Sequence, residues 1–249
     1  MIKIVFMVTN DPKYTFDFRK ELIKTLVSEG YEVHLACPRN DLFDYVERLK
    51  DLNITYHRIN LDAHSKNPIK DINYLFKLKQ LIKVIKPNIL LTFTIKPNIY
   101  GGLAARMMKV PFIPNITGLG TAVENKGLLQ KITVFLYRRA LKKAQCVFFQ
   151  NEENLTFMRN KGIVKDNVKR LPGSGVNLEH FTPLPYPPGE TLHFLFIGRL
   201  MKEKGIELYM AMAKHIHTLY PGDHGGYGEE LFTLKKEGII TYHGRYQTL

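Results

Sequence analysis

The feature that most constrains this chain is an alternation. Short apolar runs of strand character are separated by segments whose apolar residues recur at helical spacing. The first run, IKIVFMV at residues 2–8, is nearly continuous and rich in β-branched residues, the pattern of a strand buried on both faces. A polar loop, TNDPKYT at 9–15, leads into a helix-period segment from about Phe16 to Ser28, with Gly30 placed to close it. YEVHLAC (31–37) predicts a second strand, DLFDYVERLKDL a helix, and ITYHRI (54–59) a third strand. DINYLFKLKQLIKVIK (71–86) predicts a helix stopped by Pro87, and NILLTFT (88–94) a fourth strand. After them come a short helix in YGGLAARMMK, a strand in PFIPNI (111–116), a long helix in GLLQKITVFLYRRALKKA (127–144) and a sixth strand in QCVFFQ (145–150). Such alternation predicts an α/β fold, a doubly wound and mostly parallel, Rossmann-like sheet with helices on both faces.

The stretch PLPYPPGE has four prolines in residues 183–190, too many for a helix or a central strand, and reads as a linker. Beyond it, TLHFLFIGR (191–199) predicts a strand and GIELYMAMAKHIHTLY (205–220) a helix. The expected organisation is therefore a first domain over 1–182, the linker, and an incomplete second α/β domain over 191–249. The length of 249 residues suits one large domain or two modest ones.

Composition narrows the function classes. Apolar residues make up 45% of the chain, enough for a substantial core, so global disorder is excluded. The two cysteines, Cys37 and Cys146, are too few for a disulfide scaffold and suit a reduced, cytoplasmic setting. No apolar run approaches the roughly 18 residues of a membrane span. The net charge of +13 is uneven, because residues 126–170 hold 11 basic and 3 acidic side chains. That is a basic face rather than a uniformly basic protein. Nucleic acid is not the expected partner: the aromatics sit within strands and helices, and no nucleic-acid motif is present. The histidines are scattered over strands and one helix, so no metal site is expected.

In an open parallel sheet, ligands bind beyond the carboxyl ends of the strands. The loops predicted there include TGLGTA (117–122) and PGSGVN (172–177), glycine-bearing in a way that suits close backbone approach. Neither GxGxxG nor GxxxxGK[ST] follows the first strand, which disfavours a dinucleotide cofactor or a P-loop. The densest constellation is FLFIGRLMKEKGIE (194–207). There a strand would deliver Gly198 and Arg199, and Lys204 would sit at the mouth of a helix starting near Gly205. An Arg, a Lys and a helix N-terminus converging on one point suit a diphosphate.

That GR-x4-KG arrangement, preceded by the linker and by PGSGVNLEHFTP, resembles the retaining glycosyltransferases of family 4. More closely, NITGLGTAVENKGLLQKITVFLYRRALKKAQCVFFQNEENLTFM is similar to bacterial members that extend polyprenyl-diphosphate-linked sugars in capsule, O-antigen and glycan assembly. The resemblance implies a GT-B-like pair of facing domains, acceptor side first and donor side second, with no cofactor beyond a UDP-linked nucleotide sugar as substrate. It implies that Gly198, Arg199, Lys204 and Gly205 hold the donor diphosphate, and that Gly173, Ser174, Gly175, Val176 and Asn177 lie at the domain crossover beside the donor. On the acceptor side, the candidates to read a lipid-linked sugar phosphate are Asn10, Lys13, Tyr14, Lys96, Asn98, Thr117, Gly118 and Gly120. Thr117-Gly118 stands where related sequences often carry His-Gly. The family's E-x7-E glutamate pair lies beyond what this chain contains, and GDHGG replaces an expected apolar strand. The sequence thus reads as a transferase shortened in its donor domain. The catalytic residues are not assigned. The basic helix 127–144, with Leu128, Leu129, Ile132, Leu136 and Leu141 beside Lys131, Arg138, Arg139, Lys142 and Lys143, is a candidate for lying on an anionic membrane at the inner face of the cell.

Overall fold

A computed structural model describes residues 2–38, 43–61, 67–120, 123, 127–185, 194–198, 200 and 202–219. The chain divides into two compact units, Met1–Thr182 and Pro183–Leu249.

The first unit is built on one sheet. Its strands are β1 (Ile4–Val8), β2 (Glu32–Cys37), β3 (Thr55–Arg58), β4 (Ile89–Phe93), β5 (Phe112–Ile116), β6 (Val147–Phe149) and β7 (Val168–Arg170). They lie in the order β3-β2-β1-β4-β5-β6-β7, and every neighbouring pair is parallel. The order reverses between β1 and β4, so the crevice at their carboxyl ends is the topological switch point. The helices are α1 (Pro12–Ser28), α2 (Phe43–Lys50), α3 (Pro68–Ile85), α4 (Gly102–Met108), α5 (Leu128–Leu141) and α6 (Glu152–Asn160).

Burial explains why the apolar runs became strands. Val5, Phe6, Met7 and Val8 of β1 are each at most 1% exposed, and alternate residues enter opposite layers. Phe6 and Val8 pack with Tyr74, Leu78 and Ile82 of α3 and with Tyr137 and Ala140 of α5. Val5 and Met7 pack with Ile23 of α1 and Leu49 of α2. Removing a side chain such as Phe6 from water contributes about 1.5–3 kcal/mol.

Several expectations are corrected. Helix α1 begins at Pro12 rather than near Phe16, because Asp11 caps it by accepting from the Tyr14 amide and proline occupies the first turn. Lys13 and Tyr14 therefore stand on a helix, not in a loop. Helix α3 likewise starts at Pro68 under an Asn67 cap. The segment after β4 is a π-helical turn, Pro97–Gly101, running directly into α4. A Cβ on Gly101 would lie 2.7 Å from Thr92 Cγ2, and one on Gly102 would lie 3.2 Å from the Ala140 carbonyl. That paired glycine lets the turn lie flat on β4 and α5. Two elements are additions: α6, capped by Asn151, and the edge strand β7.

In the second unit, a turn of 3₁₀ helix at Lys202–Lys204 precedes α7 (Ile206–Leu219). The strand expected over 191–199 is not formed in its described part. Residues 194–198 carry no regular structure, and Phe194, Leu195 and Ile197 are 55%, 74% and 85% exposed. A parallel strand needs neighbours for its backbone groups, and among the described residues no strand pairs with this one.

Candidate functional site

The loops at the carboxyl ends of β1, β4, β5, β6 and β7 share one edge of the sheet. A surface depression lined by Ile2, Lys3, Glu29, Gly30 and Tyr31 lies at the opposite, amino-terminal edge, the wrong side for a ligand in this architecture.

The acceptor-side candidates split into engaged and open groups. The Lys13 ammonium donates to Asp17 Oδ2 at 3.0 Å and to the Tyr45 hydroxyl at 2.9 Å. The Tyr45 bond, stronger than the opposing loss of hydration, holds its pKa above the usual lysine value. Lys96 Nζ lies 2.6 Å from Asp71 Oδ1, with both side chains 15% exposed, and the Tyr100 hydroxyl donates to Asp71 Oδ2 at 2.9 Å. Burial, reinforced by that carboxylate, pushes the Tyr100 pKa up. Asn98 is 1% exposed. Its Oδ1 accepts from Thr92 Oγ1 at 2.7 Å, and its Nδ2 donates to the Asn115 carbonyl at 2.9 Å. Lys96, Asn98 and Tyr100 thus anchor the segment after β4 to α3, β4 and β5, and the structure does not bring Asn98 to the open edge. Asn10 and Tyr14 remain accessible, Tyr14 at 51% and stacked on Phe18. In the loop after β5, Thr117 and Gly118 are half-buried, and Gly118 has open space where a Cβ would be. Gly120 has φ +63°, and a Cβ there would meet Ile95 at 3.2 Å.

At the end of β4, beside β1, Thr94 adopts φ +73°. A β-branched residue in that region costs on the order of 1–3 kcal/mol, and the Thr94 hydroxyl is buried without a hydrogen-bond partner. Nothing in the sequence distinguishes this threonine from its neighbours.

The segment after β7 crosses back over this edge to α1. The Leu171 amide bonds the Phe149 carbonyl at 2.7 Å. Ser174 Oγ lies 3.0 Å from Arg19 Nη1 and 3.1 Å from Gln150 Nε2. Asn177 Nδ2 donates to Glu21 Oε1 at 3.1 Å, while Asn177 Oδ1 accepts from the amides of Glu179 and His180. Gly173 and Gly175 supply the φ values of +111° and +80° that bend the loop, and Val176 is exposed. The structure therefore brings the crossover residues onto α1.

On the donor side, Arg199 lies outside the described residues. Gly198 and Lys204 are exposed. Gly205 has φ +80°, and its amide is already bonded to the Lys202 carbonyl at 2.8 Å. The amides of the first turn of α7 follow from Ile206 onward.

Elsewhere, His34 Nδ1 lies 2.8 Å from His57 Nε2 and His34 Nε2 lies 2.7 Å from Glu32 Oε1, on the β2–β3 edge. Burial first, and the neighbouring His34 second, lower the His57 pKa. Burial pushes the Cys37 thiol up to about 12, which makes it a poor nucleophile. Among the described residues no three His, Cys, Asp or Glu side chains gather as a metal site, and no described helix is long and apolar enough to cross a membrane.

The sequence that builds this sheet matches a known family. The profile described as glycosyl transferase 4-like covers residues 3–151, more than half of the chain. The chain belongs to this family. It is 28% identical over 203 residues to an N,N'-diacetylbacillosaminyl-diphospho-undecaprenol alpha-1,3-N-acetylgalactosaminyltransferase from Campylobacter jejuni, a match taking in 80% of this chain and 53% of that protein. Among solved structures, a glycosyltransferase from Rickettsia africae superimposes with a TM-score of 0.65 at 17% identity, over 90% of this chain and 59% of that one. Anabaena HepE in complex with UDP and glucose gives 0.53 at 14% identity, over 74% and 48%. This family member thus spans about half the length of the proteins it matches, and the two structures support its Rossmann-like fold.

Proposed function

We propose that the chain's fold serves glycosyl transfer: a sugar moves from a nucleotide-diphosphate donor, UDP-linked and with no further cofactor, to a polyprenyl-diphosphate-linked glycan in cell-surface polysaccharide assembly. The observation that carries this reading is the match, through 80% of the chain, to a relative named for an undecaprenyl-diphosphate-linked acceptor. The open edge of the first unit supports it, with Asn10, Tyr14, Thr117, Gly118 and Gly120 accessible to an acceptor and the 173–177 loop beside them. Arg199 and Lys204 are the donor-side candidates. The proposed location is the cytoplasmic face of the membrane, where lipid-linked acceptors are met without a spanning helix.

One observation favours a narrower reading for these 249 residues. Contacts to a diphosphate alone bind substrate and product alike and lower the barrier little; transfer also needs a preorganised site for the leaving phosphate. With Phe194, Leu195 and Ile197 exposed, no packed support for such a site is present among the described residues of the donor side. We expect weak nucleotide-sugar binding and negligible turnover. Thermal unfolding with UDP-sugars and with polyprenyl-diphosphate-linked sugars, beside a radiolabelled transfer assay, tests both. Stabilisation by neither ligand overturns the proposed function. Turnover that vanishes in Arg199→Ala and Lys204→Ala overturns the narrower reading and makes the chain a working transferase.

A further inference from the structure

Arg19 is unlike the other basic residues of the first unit. It is 9% exposed, and its guanidinium lies 4.6 Å over the Phe93 ring at the end of β4. Burial lowers its pKa to about 10, so it stays cationic at neutral pH. Its hydrogen bonds run from Nη1 to Ser174 Oγ at 3.0 Å and to the Phe18 carbonyl at 3.3 Å. Among the described residues, no carboxylate pairs with it. A cation taken out of water is normally retained only with a counter-ion, and the ring beneath compensates only in part. The guanidinium fork, with five donors and a planar shape, is complementary to two oxygens of one anion. Ser174 is open to a ligand: it is exposed, and positions for Cβ atoms on Gly173 and Gly175, which flank it, have no heavy atom within 4 Å. The Gln150 amide, just after β6, is a second donor to the Ser174 hydroxyl.

We propose that Arg19, with Ser174 and Gln150, forms a phosphate-binding subsite at the carboxyl edge of the first unit's sheet. The ligand is a phosphate or diphosphate group, and Arg19 supplies the charge while Ser174 and Gln150 orient it. Two sources carry that chemistry, a nucleotide diphosphate and a lipid-linked diphosphate. This inference rests on the proposed function only for those sources. Binding of inorganic pyrophosphate is independent of sugar transfer.

The test uses the full chain, with calorimetric titration and ligand-dependent thermal shift. Wild-type protein is compared with Arg19→Gln, Arg19→Lys and Ser174→Ala, each with inorganic pyrophosphate, UDP and geranylgeranyl diphosphate, and with geranylgeraniol as the uncharged control. Pyrophosphate affinity is expected to fall at least tenfold in Arg19→Gln and several-fold in Arg19→Lys, which keeps the charge but loses the fork. A smaller loss is expected in Ser174→Ala. If Arg19→Gln fails to fold, the Arg19→Lys and Ser174→Ala pair carries the comparison. A selective loss for geranylgeranyl diphosphate assigns the subsite to the acceptor, and a selective loss for UDP assigns it to the donor. Pyrophosphate binding that is absent in wild-type protein, or unchanged in the folded variants, overturns the proposal and leaves Arg19 as a clasp for the crossover loop.

Discussion

Two apolar runs, IVFMV in β1 and FLFI at 194–197, have nearly the same character in the sequence and opposite fates in the structure. In β1, backbone groups pair with β2 on one side and β4 on the other, and four of the five side chains are buried. In FLFI the rings and branches of Phe194, Leu195 and Ile197 face solvent, held locally by the Tyr209 hydroxyl on the Phe194 carbonyl and by Phe196 against the Tyr209 ring. An apolar run states a requirement, while its neighbours decide whether the requirement is met. Two strands flank the first run in a sheet of seven; among the described residues none flanks the second.

One substitution in each run separates the two environments. Phe6→Ala removes a ring that is 0% exposed and should cost about 3–5 kcal/mol in the first unit, a large share of a typical domain's stability. Ile197→Ala, at 85% exposed, should stay within about 0.5 kcal/mol. Urea unfolding of the full chain followed by circular dichroism reads both. A comparable loss in Ile197→Ala would mean that the second run is buried in solution after all.

The same contrast explains what was legible in the sequence. Strands β1, β2 and β4 announced themselves because most positions on both of their faces are buried, which leaves nearly continuous runs with few polar residues. Strand β7, Val-Lys-Arg, is an exposed edge three residues long, and its composition says nothing. Helix α6 did leave a signal, Asn151 followed by Glu152 and Glu153, the capping and first-turn pattern of a helix start. Arg19 also left one: Pro12, Thr15, Arg19 and Ile23 form the buried stripe of α1, so a charge stands on an inward face. That it lies beside Ser174, 155 positions away, depends on a chain path that no local pattern encodes. The partners of the basic and polar residues after β4 were hidden for a related reason. Lys96 and Asn98 have the chemistry of ligand donors, but Asp71, Thr92 and Asn115 are within reach first.

Asn98→Ala should leave the Thr92 hydroxyl and the Asn115 carbonyl buried without partners, at a cost of about 1–3 kcal/mol, in a region where Asn115 Oδ1 is already unpaired. Tyr14→Ala, on an exposed helix turn, should change stability by less than about 0.5 kcal/mol. Paired unfolding curves check this. A neutral Asn98→Ala would show that its amide is not holding the fold.

The smallest expected effect concerns a third apolar surface, which resembles FLFI in exposure and differs from it in charge. On α5, Thr133, Tyr137, Ala140 and Leu141 pack inward, so the Leu136 and Leu141 expected on the outer stripe are half-buried and buried. Leu128, Leu129, Ile132 and Phe135 are 74%, 40%, 47% and 50% exposed. Beside them Lys131, Arg138, Arg139, Lys142 and Lys143 are also exposed, with the Arg139 guanidinium 5.1 Å over the Phe135 ring. Apolar side chains flanked by cations suit the boundary of an anionic bilayer, and each basic residue contributes about 1 kcal/mol near such a surface. Sedimentation with vesicles containing acidic lipid should therefore show binding that weakens at high salt. It should fall about fivefold for each of Lys131→Gln and Lys142→Gln, since about 1 kcal/mol corresponds to that ratio. Leu195→Gln, in the uncharged run, should leave it unchanged. Equal binding to neutral vesicles would remove the electrostatic account and leave α5 with an exposed stripe suited to a protein partner instead.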